Sequence, residues 1–239
     1  MNRWIRLLLL SCALIAGGCA TTQPPEPSAS TARTVLYVDP ARHDSTRFIA
    51  PPPSAEESRR EIEAMLELQR QRTPAQAARS AADLEQSVFR FADVLGPRFT
   101  AQNLPLTAAF FERLYRTESA INKQGKTLWA RQRPPVVDAR LQPTTKYGSS
   151  GSYPSGHAAF GHLAGIALAD MVPEQRARIL ERAREFGDNR VLGGVHYPSD
   201  VQAGRQLAVL IAVLAQQNPD YQRDFAAART ELRRAIALP

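Results

Sequence analysis

Two stretches of this 239-residue chain carry almost no charge, residues 158–171 and 201–215, and the rest of the fold has to be arranged around them. The first is rich in Ala and Gly, and the second contains nine consecutive apolar residues at 207–215. A helix apolar on every side is a buried helix, and Gly161, Gly165 and Gly204 permit neighbours to approach closely. Nine apolar residues fall far short of the roughly 20 that a spanning helix needs, so both stretches are expected as central helices of a soluble body.

The flanking segments read as amphipathic helices. Residues 57–72 place Ile62, Met65, Leu66 and Leu68 among charges, and Thr73-Pro74 then supplies an N-cap and a first-turn proline for a helix continuing over 75–95. Further helices are expected at 106–122, at 174–186 as a charged, surface-facing element, and at 219–238. No alternating strand pattern competes. The expected fold is therefore all-α, a single-domain helical bundle over residues 59–239.

Residues 19–58 are rich in Pro, Ser and Thr and read as an extended tether, with only 35–38 and Phe48-Ile49 available to dock. Residues 1–18 read as an export signal: Arg3 and Arg6, an apolar run from residue 7, then small residues before Cys19. Its end resembles a bacterial lipoprotein signal, with Cys19 as the lipidation site, although Ala16 stands where that pattern more often has Leu. Plain secretory cleavage is the alternative. The two cysteines, Cys12 and Cys19, both fall near this segment, so the body is expected to contain neither disulfide nor thiolate chemistry.

The formal charge of +7 is spread among acids along amphipathic segments, and no nucleic-acid reader motif or aromatic platform accompanies it. Residues 123–146 are the exception. There Lys123, Lys126, Arg131, Arg133, Arg140 and Lys146 meet only Asp138, a field suited to an anionic substrate.

Chemistry-bearing residues fall in three ordered stretches: Lys126 with Arg133-Pro134, then Pro154-Ser155-Gly156-His157, then Arg190 with His196 and Asp200. Hydrolysis of a phosphate ester requires fixed donors around the phosphoryl oxygens, a nucleophile, and a proton for the departing oxygen. Arg133 and Arg190 suit bidentate phosphate binding, and Lys126 adds a compact charge. Pro134 disfavours helix at Arg133, turning that side chain inward. The loop ending in Ser155-Gly156, just before the first uncharged helix, offers backbone N–H groups, a hydroxyl and a helix N-terminus to an anion. His196 is the candidate nucleophile, with Asp200 fixing its tautomer, and His157 the candidate general acid. His43 and His162 are read as satisfied, non-catalytic histidines. No ligand-spaced cluster of Asp, Glu or His suggests a metal, so no cofactor is expected.

These stretches resemble the three motifs of the type 2 phosphatidic acid phosphatase superfamily, within it most closely the bacterial class A non-specific acid phosphatases. The run Gly151 to His157, the Pro-rich segment at Pro51 and the tail after Asn218 are similar in character to class A members. The resemblance implies a helical domain of the kind shared with vanadium haloperoxidases, a phosphohistidine intermediate, no metal, and broad action on phosphomonoesters at acidic pH in the periplasm, with an outer-membrane anchor if Cys19 is lipidated. Its partner would be a small phosphate ester, with no nucleic acid and membrane contact only through the N-terminus; oligomerisation stays open. Asn189 stands where the third motif usually has Ser, and Ala158 where close relatives carry Thr. Alternatives are a lipid or isoprenyl pyrophosphate phosphatase, a vanadate-dependent haloperoxidase, or a lipoprotein retaining a dead site.

Overall fold

The computed structural model describes residues 36–238, and among these the regular structure is helical throughout. The α-helices are α1 (Ala55–Gln71), α2 (Pro74–Ala82), α3 (Ala92–Leu95), α4 (Pro105–Trp129), α5 (Pro134–Val137), α6 (Gly156–Met171), α7 (Arg176–Leu192), α8 (Pro198–Gln216) and α9 (Pro219–Ala235). The first uncharged stretch, α6, is the centre: it packs chiefly against α7 and α8, with α4 and α9 closing another side. Leu163, Ala164, Ala167 and Leu168 of α6 are buried beside Phe186 of α7 and Leu207, Ala208 and Ile211 of α8. Close packing depends on missing side chains at two points. A Cβ on Gly161 would come within 2.8 Å of the Phe186 ring, and one on Gly204 within 2.5 Å of the Ser155 carbonyl. Phe91, Phe99, Phe110, Phe111, Phe160 and Phe186 are all buried, each contributing about 1.5–3 kcal/mol by leaving water.

Local signals set several boundaries. Ser54 and Glu57 form a capping box at the start of α1, and Thr73 and Gln76 another at α2, where Pro74 occupies the first turn. Helix α4 ends at Ala130, which is left-handed at φ 41°.

Three expectations need correction. The tether does not reach residue 58: residues 36–54 lie on the body, where Tyr37, Val38 and Ile49 are buried and Ser45 hydrogen-bonds Gln124. Tyr37 N–H donates to Thr117 Oγ1 at 3.0 Å, and Tyr153 Oη donates to the Ala50 carbonyl at 2.6 Å. Helix α2 stops at Ala82 instead of running to residue 95, because Asp83 turns into the interior to meet Arg182 of α7. For the same reason α7 is not merely a surface helix. Arg182 is 3% exposed, with Ile179, Ala183, Phe186, Asn189 and Arg190 buried on the same element. Residues 1–18 and Cys19 lie outside the described residues.

Candidate active site

Arg190 occupies the last turn of α7, where the helix dipole favours a cation. Two glycines follow, and Gly194 at φ 76° turns the chain back so that the N–H groups of Val195 and His196 both donate to the Arg190 carbonyl. The turn brings His196 back beside the arginine that precedes it by six residues. Tyr197 then opens α8, and Asp200, in its first turn, accepts from the Tyr197 N–H at 3.0 Å. The same carboxylate oxygen lies 3.1 Å from His196 Nδ1, and Ser152 Oγ also donates to it. Nδ1 therefore carries the proton. Nε2 keeps its lone pair and faces Arg133 Nη1 at 3.1 Å.

Arg133 follows the end of α4 in an extended conformation imposed by Pro134, and reaches inward to donate to the carbonyls of Ser150 and Val195. Lys126 Nζ donates to the Gly151 carbonyl at 2.8 Å, which pins the loop before α6 against α4. Ser155 N-caps α6 through the Ala158 N–H. A Cβ on Gly156 would meet Glu118 Oε1 at 3.7 Å, an ordinary contact, so protein packing does not require glycine there. His157 Nε2 donates to the Leu84 carbonyl at 3.0 Å, which leaves Nδ1 as its second reactive atom.

The groups sense one another's charge. Burial pushes His196 down to about 3 despite its bond to Asp200, with Arg133 and Lys126 adding to the depression. Burial, then Arg190, pushes His157 down to about 3, with His196 and Arg133 contributing. Lys126 is lowered to about 8 by burial and Arg133, and Arg190 to about 10 by burial and Arg133. Burial raises Asp200, yet its bond to His196 and the charge of Arg131 leave it below the usual carboxylate range. Arg190 Nε and Nη1 are buried with no partner among the described residues, while Nη2 reaches Thr145 Oγ1 at 3.3 Å. Lys126, Arg133 and Arg190 held close to one ionised carboxylate, Asp200, leave an excess of positive charge that favours an anion, and the Arg190 guanidinium has two donors to offer it.

The structure thus brings together Lys126, Arg133, Ser155, Gly156, His157, Arg190, His196 and Asp200 from α4, the loop before α6, α7 and α8. The wider basic field dissolves on inspection. Arg140 pairs with Asp138 and Glu63 at the surface, whereas Lys126, Arg133 and Arg131 of that run reach the centre and Lys123 lines the pocket beside Lys126. Asn189 does not face the site, because its Nδ2 donates to Asp83. His162 is not satisfied among the described residues: its Nδ1 is buried without a partner there.

Sequence reasoning counted Arg131 only in the basic field and gave it no role of its own. Its guanidinium meets Asp200 at 2.7 Å and Glu61 at 2.9 Å and lies 3.7 Å over the Tyr197 ring. Glu61 in turn accepts from the Ser199 N–H, so α1 anchors the start of α8. Glu118 and Asn122 were also missed; both line a pocket of about 400 Å³ bordered by Lys126, Gly151 and Gly156. Their spacing from Lys126, eight and four residues, was the available signal, since it puts all three on one helical face.

Residues 109–224 match the PAP2 superfamily. An acid phosphatase of Zymomonas mobilis subsp. mobilis is 32% identical over 247 residues, spanning 98% of this chain and 91% of that protein. A non-specific acid phosphatase of Salmonella typhimurium is 33% identical over 66% of this chain and 65% of its own length. Among solved structures, the first transmembrane PAP2 type phosphatidylglycerolphosphate phosphatase from Bacillus subtilis aligns at 19% identity with a TM-score of 0.48, over 69% of this chain and 86% of that one.

Proposed function

The chain belongs to the PAP2 superfamily and is a phosphatase; on that premise we propose that it is an exported acid phosphatase, hydrolysing phosphomonoesters through a phosphohistidine on His196. The observation that carries the reading is the polarity of one ring. His196 Nδ1 is committed to Asp200 at 3.1 Å, its Nε2 lone pair faces the Arg133 guanidinium at 3.1 Å, and the buried Arg190 guanidinium holds two donors with no partner among the described residues.

Phosphoryl oxygens are held by Lys126, Arg133, Arg190 and the N–H groups at the start of α6. His196 Nε2 attacks phosphorus, the P–N bond forms as the ester P–O bond breaks, and Asp200 offsets the positive charge developing on the ring. His157 gives the departing oxygen a proton from Nδ1, since Nε2 is turned to Leu84. Water then attacks phosphorus, His157 accepts its proton, and Nε2 leaves. Burial and Arg190 push His157 down to about 3, and a phosphate dianion joining the arginines is expected to lift it, so that the acid becomes competent as substrate binds.

Phosphate release by the purified full chain from a chromogenic phosphomonoester tests this, with and without a chelator. Activity is expected to survive the chelator, and His196→Ala to abolish both turnover and an acid-labile phosphoryl label trapped on the enzyme. A label retained by His196→Ala would remove the assignment. Among the described residues no helix is long and apolar enough to cross a membrane. Periplasmic location and lipidation at Cys19 are part of the proposal, tested by fractionation and by loss of lipid labelling in Cys19→Ser.

A further inference from the structure

Of the polar residues lining the pocket beside the phosphate site, two that the chemistry above does not use are buried. Glu118 is 1% exposed, and among the described residues its hydrogen-bond partner is Asn122, whose Nδ2 donates to Oε1 at 2.9 Å. Asn122 is 2% exposed, and its Oδ1 is buried with no hydrogen-bond partner among the described residues. Buried polar groups are ordinarily satisfied, so an amide acceptor left unpaired at the wall of a pocket requires an explanation. Burial lifts the Glu118 carboxyl to about 8 even with Lys126 and Asn122 pulling it down, so it is a neutral acid below that pH. A neutral carboxyl donates an O–H, and the Asn122 carbonyl accepts one. Side by side, they fit a group that both donates and accepts, which is an alcohol.

Position along the helix adds a length. Glu118, Asn122 and Lys126 follow one another on one face of α4, each about 6 Å along the axis from the next. With the phosphoryl group at Lys126, hydroxyls two or three carbons from the ester oxygen come level with Asn122. The pocket of about 400 Å³ is lined at one end by Lys126, Gly151 and Gly156, and Gly156 immediately precedes the candidate acid His157.

We propose that Glu118 and Asn122 form a hydroxyl-reading subsite for the leaving group, making short polyol monophosphates the substrate class of this phosphatase. The proposal rests on the phosphomonoesterase reading given above. A site whose buried polar groups are paired only by a substrate hydroxyl discriminates strongly against the analogue lacking it, because the analogue leaves those groups unsatisfied.

The test compares kcat/KM for glycerol 1-phosphate and propyl phosphate, which differ only in two hydroxyls. The full-length wild type is expected to prefer the glycerol ester by about tenfold or more. Glu118→Leu is expected to bring the ratio close to one, and Glu118→Gln, which still donates and accepts, to retain most of it. Inhibition by free glycerol against 1-propanol provides a readout that needs no variant, with glycerol binding more tightly. A wild-type ratio near one, or a ratio that Glu118→Leu leaves intact, would overturn the subsite. Failure to release phosphate from either ester and from the chromogenic substrate would instead remove the phosphomonoesterase reading.

Discussion

Arg131 Nη1 lies 2.7 Å from Asp200 Oδ1, so the carboxylate that orients His196 is itself held by a buried guanidinium. The same arginine grips Glu61 of α1 and covers the Tyr197 ring, linking the first helix of the body to the start of α8. Asp200 is thus tied on both oxygens: one to Arg131, the other to His196, Ser152 and the Tyr197 N–H.

Arg131→Gln is therefore expected to reduce kcat while leaving KM for the phosphomonoester close to wild type, because Arg131 touches the orienting carboxylate and not the phosphate cradle. Leaving Asp200 and Glu61 without their cation also costs about 3–5 kcal/mol of stability by analogy with other broken buried pairs. Steady-state kinetics and thermal melts check the two effects separately. A KM increase with kcat unchanged would place Arg131 in the binding of substrate instead.

A second buried pair controls the opposite wall. Asp83 is fully buried and accepts from Arg182 at 2.6 and 2.9 Å and from Asn189 at 2.7 Å, and the next residue, Leu84, carries the carbonyl that holds His157. Burial raises the Asp83 carboxyl, but Arg182, Asn189 and Arg90 together hold it below the usual carboxylate range. A carboxyl depressed in the folded state contributes stability that is complete above its unfolded pKa and is lost as the pH falls through the folded one. Asp83→Asn should therefore be destabilised most at neutral pH, by about 3 kcal/mol or more. Its deficit against wild type should shrink below about pH 4, where an unfolded Asp takes up its proton. Denaturant melts from pH 7 to 3 measure this, and a deficit independent of pH would show that Asp83 acts by packing alone.

How far the sequence spoke for itself depended on the range of the interaction. The two uncharged helices, the capping boxes and the ordered cations were legible because each is encoded within a few residues. The pairing of Asp83 with Arg182 spans 99 residues, and from composition alone Arg182 is simply one more charge on a charged helix. That pairing explains both misjudged elements, the early end of α2 and the inward face of α7. Asn189 follows the same logic. It stands where the third motif usually has Ser, and what its amide does is set by the buried Asp83, to which it donates. Glu118 and Asn122 carried a local signal in their spacing from Lys126, but nothing in that spacing distinguishes a polar group that enters the interior from one that stays in water.

Arg190 and His157 offer a direct electrostatic test. His157 is pushed down to about 3 first by burial and next by Arg190. Removing a neighbouring cation favours the charged ring, so Arg190→Gln should move the His157 titration upward, seen in the ring C–H resonances of the unliganded protein. Inorganic phosphate added to the wild type should shift it in the same direction, since the dianion offsets Arg190 and Arg133. A titration unmoved by both changes would mean that Arg190 does not face this ring.

The assignment of His157 as acid is best examined by varying the leaving group. A proton is needed in the transition state only where the departing oxygen is too basic to leave as an anion. His157→Ala should therefore lower kcat/KM for an alkyl phosphate by about 10²–10⁴, the range typical of a positioned acid, and affect an ester of a strongly acidic phenol far less. His196→Ala should lose both substrates alike, because forming the P–N bond is common to them. The fixed Nε2 bond to Leu84 adds a further condition: the proton must come from Nδ1, so His157→Gln, which has no ring proton to give, should behave as the alanine variant does. Equal losses on the alkyl and aryl esters in either His157 variant would show that the ring positions phosphate and that some other group protonates the leaving oxygen.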